Sequence, residues 1–297
     1  RGFSIFDTDD SGALVKDLMP RGSAKPAIAA IRGLLSRAKS EALSPEQAAE
    51  LAQTAREREA ADIYGQYQKR LAAFNAVDFD DLIRLHVTLL EQHEDLREAW
   101  RERLRYLLVD EYQDTNYSQY LIVKALAANH KNVCVVGDDA QSIYSFRGAR
   151  IENILNFRND YPDYKLYKLE QNYRSTQAIV NAANSVIARN SKQIKKESFS
   201  ANPEGEKLKL IRAYTDQEEA IMVASSILEI VHREHAQHSD FAILCRTNAQ
   251  SRLFEDALRK KNIPYQVYGG QSFYQRKEIR DTIAYFRLTT NLHDDEA

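Results

Sequence analysis

Cysteine is scarce in this sequence. Only Cys134 and Cys245 occur in 297 residues, and each sits inside an apolar run. Two thiols cannot build a disulfide framework or a cysteine-rich zinc site. Their apolar neighbours predict buried core thiols in a reducing compartment. Long hydrophobic runs are also missing: nothing approaches the roughly 20 residues that span a bilayer, and no leader pattern is visible. The expected location is cytoplasmic, with no membrane partner. Strong charge bias is missing too. Lys and Arg total 41 against 43 Asp and Glu, a formal net charge of −2, so any nucleic-acid surface must be a local patch. Finally, none of the ten glycines is followed by Lys-Ser or Lys-Thr. The GxxxxGK[ST] loop, whose amides and lysine hold the β- and γ-phosphates of a nucleotide, is therefore not in this sequence.

What is present is ordinary globular composition, 43% apolar and 28% charged, at a length that predicts two or three domains. Residues 1–76 read as helical. Residues 26–40 place Ile28, Ile31, Leu34 and Leu35 on one face. Ser44-Pro45-Glu46-Gln47 is a helix start with a capping box and proline at the first position. One helix is expected from there, carrying Leu51, Ala52 and Ala55, then Ile63, Tyr67, Leu71 and Phe74. A boundary falls near Ala76. Beyond it, apolar runs at 106–109, 132–136 and 165–169 read as buried strands, alternating with helices near Trp100 and over 117–129. A second set follows: helices at 175–190, 216–234, 249–262 and from about Arg276, with strands at 207–213, 240–245 and 264–268. Strand–helix–strand rhythm predicts parallel pairing.

Four motifs fall at expected strand ends, where open α/β sheets place their chemistry. In the first, Asp110-Glu111 follows an apolar strand. Asp110 is placed to hold Mg²⁺ or its waters, and Glu111 to orient and deprotonate an attacking water. A solvated turn is the bland alternative, since Asn116 and Gln119 can close a capping box. In the second, Gly137 permits a sharp turn, and Gln141 could reach a γ-phosphate. Tyr144, Phe146 and Arg147 could stack on unpaired bases and meet phosphate, or, for the aromatics, simply be core. In the third, Arg174 precedes a Ser/Thr helix start, suited to an anion or to a surface ion pair. In the fourth, Arg246, Thr247 and Asn248 occupy a similar turn, a candidate backbone-phosphate site.

The strings DEYQDTN, VGDDAQSIYSFRGA, LEQNYRST, CRTNAQSR, IPYQVYGG and FYQRKEIRD resemble the UvrD/Rep/PcrA family of superfamily 1 DNA helicases, over essentially the whole chain. The resemblance implies an α/β fold of P-loop NTPase, RecA-like type. Its parallel sheets would lie in two partial motor domains with an all-helical insertion at the N-terminus. The implied division is 1–76 for the helical insertion, 77–172 for the first motor domain and 173–297 for the second.

It also implies the site. ATP and Mg²⁺ are the cofactors. Asp110 and Glu111 serve the metal, and Glu111 is the catalytic base. Gln141 senses the γ-phosphate. Tyr173 stacks on adenine, and Arg174 is an arginine finger. Tyr144, Phe146, Arg147, Arg246, Thr247 and Asn248 contact single-stranded DNA; relatives often carry tryptophan where Phe146 stands. The implied function is 3′→5′ translocation and unwinding at single-strand/duplex junctions in repair or replication, with proteins of those pathways as partners. Because the phosphate loop and the family's late motifs are absent and the first residue is Arg, the chain is expected to be an internal fragment. By itself it is expected to be inactive, with an incomplete sheet edge. Two alternatives remain at this point: an ATPase-dead DNA- or partner-binding module, and a metal nuclease using Asp110, Glu111, Asp138 and Asp139 or a helicase–nuclease fusion.

Overall fold

A computed structural model describes residues 2–268 and 277–290. The chain forms two compact units. One comprises Arg1–Gly205 with Arg287–Ala297, the other Glu206–Phe286.

The first unit opens with strand β1 (Ser4–Phe6) and helices α1 (Thr8–Leu18), α2 (Lys25–Ser40), α3 (Pro45–Leu51) and α4 (Ala55–Ala73). The expected capping box between Ser44 and Gln47 starts α3. The single long helix expected from there is two, because Thr54 and Glu57 form a second capping box that restarts the helix. The N-terminal segment is not wholly helical either. β1 pairs in parallel with β2 (Ala76–Asp78), register Ser4 with Ala76. That pairing closes the helices around a core of Phe6, Val15, Ile31, Leu35, Tyr64, Tyr67 and Leu71. Burying such side chains stabilises by roughly 1.5–3 kcal/mol each.

One buried cation lies beside this core. Lys39, 1% exposed, donates to Asp78 at 2.5 Å and to Asp81 at 2.9 Å. Asp78 also accepts from the Tyr67 hydroxyl and from the Asp81 amide, as the cap of helix α5 (Phe79–Gln92). Arg84 completes the charge balance on Asp81. Two acids at the start of α5 thus neutralise a lysine from α2.

Helix α6 (Glu94–Arg103) leads to β3 (Leu107–Val109). This strand pairs in parallel with β4 (Val133–Val135), with helix α7 (Tyr117–Ala127) between them in sequence. The Ser118 hydroxyl on α7 donates to the carbonyls of Lys39 and Ser40, tying α7 to the end of α2. Short helices α8 (Glu152–Leu155) and α9 (Phe157–Asp160) follow, then β5 (Gln171–Asn172), α10 (Gln177–Ile187) and β6 (Phe199–Ser200), which pairs in parallel with β5. The parallel pairing expected from sequence is present. The strand expected at 165–169 is not: these residues carry no ladder.

β3 and β4 differ from the two-sided burial expected of them. Leu108 is 77% exposed, and its register partner Cys134 is exposed as well. Among the described residues these two strands pair only with each other, and the ribbon face that carries Leu108 and Cys134 has no cover. Cys245 is likewise exposed, and neither thiol is the core residue its apolar neighbours suggest.

The second unit contains α11 (Asp216–Glu234), capped by Thr215, and α12 (Asn248–Lys260). α13 (Lys277–Thr290) is the last described helix. The helix expected over 216–234 forms with those bounds. α11 and α12 pack through Ala220, Ala224, Ile227, Ala257 and Leu258. Phe241 and Ile243 add to that core while Ala242 and Leu244 face outward. This is the alternation of a strand, yet no ladder forms over 207–213, 240–245 or 264–268. Gly269, Gly270 and residues 273–276 of the strings singled out above lie outside the described residues. Among the described residues no helix is long and apolar enough to cross a membrane.

Candidate nucleotide site

The site is built where β3 and β4 end. Ladder hydrogen bonds continue past both strands: Val136 N–H donates to Val109 at 2.8 Å, and Tyr112 N–H to Val136 at 2.9 Å. Between them the chain turns at Glu111, whose φ of 49° and ψ of 41° are left-handed. This is an uncommon state for a residue other than glycine, and one that collects at functional sites. Tyr112 anchors the turn. It is buried and meets the Phe157 ring edge-on, centroids 6.1 Å apart. The expected capping box of Asn116 and Gln119 then starts α7.

Gln113, 1% exposed, joins the first two motifs. Its Nε2 donates to Glu111 Oε2 at 2.8 Å, and its Oε1 accepts the Asp138 amide at 3.0 Å. Gly137 is required there for space. A Cβ at that position would stand 2.5 Å from Gln113 Oε1 and 2.8 Å from Ile154 Cδ1. The glycine expected for a sharp turn is needed for close approach instead, since its φ is not positive.

Asp138 caps the turn Asp139–Gln141. It accepts from the Ala140 amide at 2.9 Å and from Gln141 Nε2 at 2.9 Å, and it is ion-paired with Lys196. Burial pushes its carboxyl up, but the Lys196 and Gln141 hydrogen bonds outweigh that and hold it below the usual carboxylate range. Glu111, Gln113, Asp138 and Gln141 therefore form one hydrogen-bonded chain.

Asp110 is exposed, and its Oδ1 accepts the Glu111 amide at 2.9 Å. Asp114 Oδ1 is buried with no hydrogen-bond partner. Magnesium typically takes one or two carboxylates together with phosphate oxygens and waters. Two adjacent, accessible carboxylates with an unmet buried acceptor nearby fit that requirement, with Asp110 and Glu111 as the residues that would hold the ion.

Beyond the turn, Tyr144 and Phe146 stand with ring centroids 5.9 Å apart. The Arg147 guanidinium lies over both, 5.4 and 5.5 Å from their centroids. Phe146 is 71% exposed, so this cluster is not core. Aromatic faces beside a cation are what unpaired bases stack on. Tyr173 is 78% exposed, with its hydroxyl on Gln171 Oε1 at 3.0 Å. Arg174 is exposed; Asn172 accepts both its amide and that of Ser175. The start of α10 offers less to an anion than the sequence suggests. The Gln177 and Ala178 amides already donate to the Pro203 and Glu204 carbonyls, so two of its first amides are taken. No hydrogen bond among the described residues links Arg174 to the Glu111–Gln141 chain. Arg246, Thr247 and Asn248 belong to the second unit, where Thr247 and Gln250 form the capping box of α12.

Sequence reasoning missed Lys196. It sits in a basic stretch that reads as a linker, and nothing local points to a carboxylate 58 residues away.

Parallel strands alternating with helices, with an acid pair and a glutamine turn at their ends, are features of an α/β, RecA-like fold. Comparison with known families agrees. The UvrD/REP helicase N-terminal domain matches residues 1–162, and the UvrD-like helicase C-terminal domain matches 167–297. The chain belongs to the UvrD-like helicase family. Among its relatives is the ATP-dependent DNA helicase PcrA of Staphylococcus aureus (strain Mu50 / ATCC 700699), 43% identical over 99% of this chain and 41% of that protein. The protein of the same name from Leuconostoc citreum is 44% identical over 100% of this chain and 40% of its own length. The chain thus spans about two fifths of the length of these relatives.

Proposed function

We propose that this chain is part of an ATP-dependent DNA helicase. Its division would be 1–76 as a helical insertion, 77–172 as part of a first motor domain and 173–297 as part of a second. The observation that carries the reading is the hydrogen-bonded chain from Glu111 through Gln113 and Asp138 to Gln141. It links the acid pair to the turn that leads into the aromatic cluster. Glu111 accepts a proton from water as the water oxygen bonds to the γ-phosphorus, and the bond to the leaving ADP oxygen breaks. Magnesium supplies charge neutralisation at the phosphates when bound. Gln141 contacts the γ-phosphate, Tyr173 stacks on adenine, and Arg174 faces the charge that develops in transfer. Tyr144, Phe146 and Arg147, with Arg246, Thr247 and Asn248, hold single-stranded DNA. Coupling then gives 3′→5′ movement and unwinding at single-strand/duplex junctions, in cytoplasmic repair or replication with proteins of those pathways.

The nuclease alternative has less support. Among the described residues no three metal-ligating side chains gather, and Asp138 is engaged by Lys196.

The test is ATP turnover by the complete protein, stimulated by single-stranded DNA. Glu111→Gln is expected to lower kcat by about 10²–10⁴-fold. The 297-residue chain, which has no phosphate loop, is expected to show no turnover. Turnover by this chain that Glu111→Gln abolishes contradicts that expectation.

A further inference from the structure

The segment after α10 does more than connect. Ile194 N–H donates to Asp139 Oδ2 at 2.9 Å, and Lys196 pairs with Asp138 Oδ1. Lys168 Nζ holds the Lys195 carbonyl at 2.6 Å. Glu197 N–H donates to the Glu170 carboxylate at 3.0 Å, and Phe199 N–H to the Glu170 carbonyl at 3.0 Å. Asn184 on α10 brackets Ser198, donating to its carbonyl and accepting its amide. One short stretch therefore fastens the Asp138–Gln141 turn at one end and the strand leading to Tyr173 and Arg174 at the other.

We propose that Lys196 is a positioning residue of the nucleotide site, acting through Asp138 on Gln141. The inference rests on the nucleotide-site reading above. A glutamine amide carries two N–H groups. Asp138 Oδ2 takes one of them, which fixes the plane of the amide and leaves the other for an anion. Asp138 can do this beside a polyphosphate only if its own negative charge is compensated, and Lys196 compensates it at contact distance. Both side chains are about a quarter exposed, 24% and 30%. Removing the lysine would leave a half-desolvated carboxylate facing the incoming phosphates and free to turn away from Gln141.

The test is a double-mutant cycle in the complete protein, reading ATP turnover with single-stranded DNA and thermal midpoint together. Lys196→Met is expected to lower kcat by on the order of tenfold, the usual scale for outer-shell partners, with the midpoint little changed. Lys196→Arg should restore most of the rate. In an Asp138→Asn background, Lys196→Met should have little further effect, because its route of action is already removed. Wild-type kcat in Lys196→Met, or effects of the two substitutions that simply multiply, overturns the proposal. Should the wild-type protein hydrolyse no ATP, it is the function proposed above that falls. Lys196 is then judged in the 297-residue chain, from the Gln141 side-chain amide signal by nuclear magnetic resonance. That signal is expected to shift in Lys196→Met and return in Lys196→Arg; an unmoved signal overturns the proposal.

Discussion

Gln113 Oε1 accepts the Asp138 amide at 3.0 Å, closing a contact between residues 25 apart in the chain. One buried side chain thereby sets the spacing between the ends of β3 and β4, and with it the distance from Glu111 to the turn that holds Gln141.

Gly137→Ala tests that spacing directly. The added methyl would fall on Gln113 Oε1 and Ile154 Cδ1, atoms that are packed in place. Overpacking of this kind costs about 1–3 kcal/mol. A urea unfolding midpoint lowered to match is the expected result, with the Gln113–Asp138 hydrogen bond lost. An unchanged midpoint means the contact is looser than the distances indicate.

Lys39→Ala should be among the most damaging single changes in the first unit. It leaves Asp78 and Asp81 buried without their main cation. Losing one partner of a buried pair costs about 3–5 kcal/mol. Denaturant titration of the variant measures this, and a loss below about 1 kcal/mol would place the pair in the class of surface bridges.

Acid should act on this same cluster in two directions. Burial pushes Asp81 up, but the Lys39 charge and the hydrogen bonds around it hold its carboxyl below the ordinary value of 3.8. Its contribution is present above pH 3.8 and is lost as pH falls through the depressed value. Asp138 behaves alike. Burial raises Asp80 above its ordinary value, so protonating it favours the folded state before Asp81 begins to titrate. Unfolding midpoints followed from neutral pH to about pH 2 should hold or rise slightly at first, then fall steeply below about pH 4. Asp80→Asn should remove the early part alone.

Cys134 and Cys245 should both react with a thiol reagent in the native chain, since both are exposed. Two fast equivalents in the absence of denaturant are expected. Protection of Cys134 would mean that the outer face of β3 and β4 is covered in solution.

The sequence was most legible where its signals are local. The Asn116–Gln119 and Ser44–Gln47 capping boxes formed as read, because three residues of spacing fix both partners. Asp110 and Glu111 stand at a strand end, and β3 pairs with β4 in parallel. Contacts distant in sequence were not legible. Lys39 meets Asp78 and Asp81 across 39 and 42 residues, and Lys196 meets Asp138 across 58. No periodicity encodes such pairs. The cysteines misled for a related reason: an apolar run shows that a segment favours burial, not whether a second layer arrives to bury it.

The left-handed turn at Glu111 is a strain that its own side chain offsets. Holding a glutamate in that conformation costs on the order of 1–3 kcal/mol, and glycine relieves it. Glycine would also remove the Oε2 acceptor of the buried Gln113 Nε2, a loss of about 1–3 kcal/mol, so a library of this chain screened for heat resistance alone should not enrich Glu111→Gly. Evolved for durability, the protein would keep this strained glutamate for the buried amide that it satisfies.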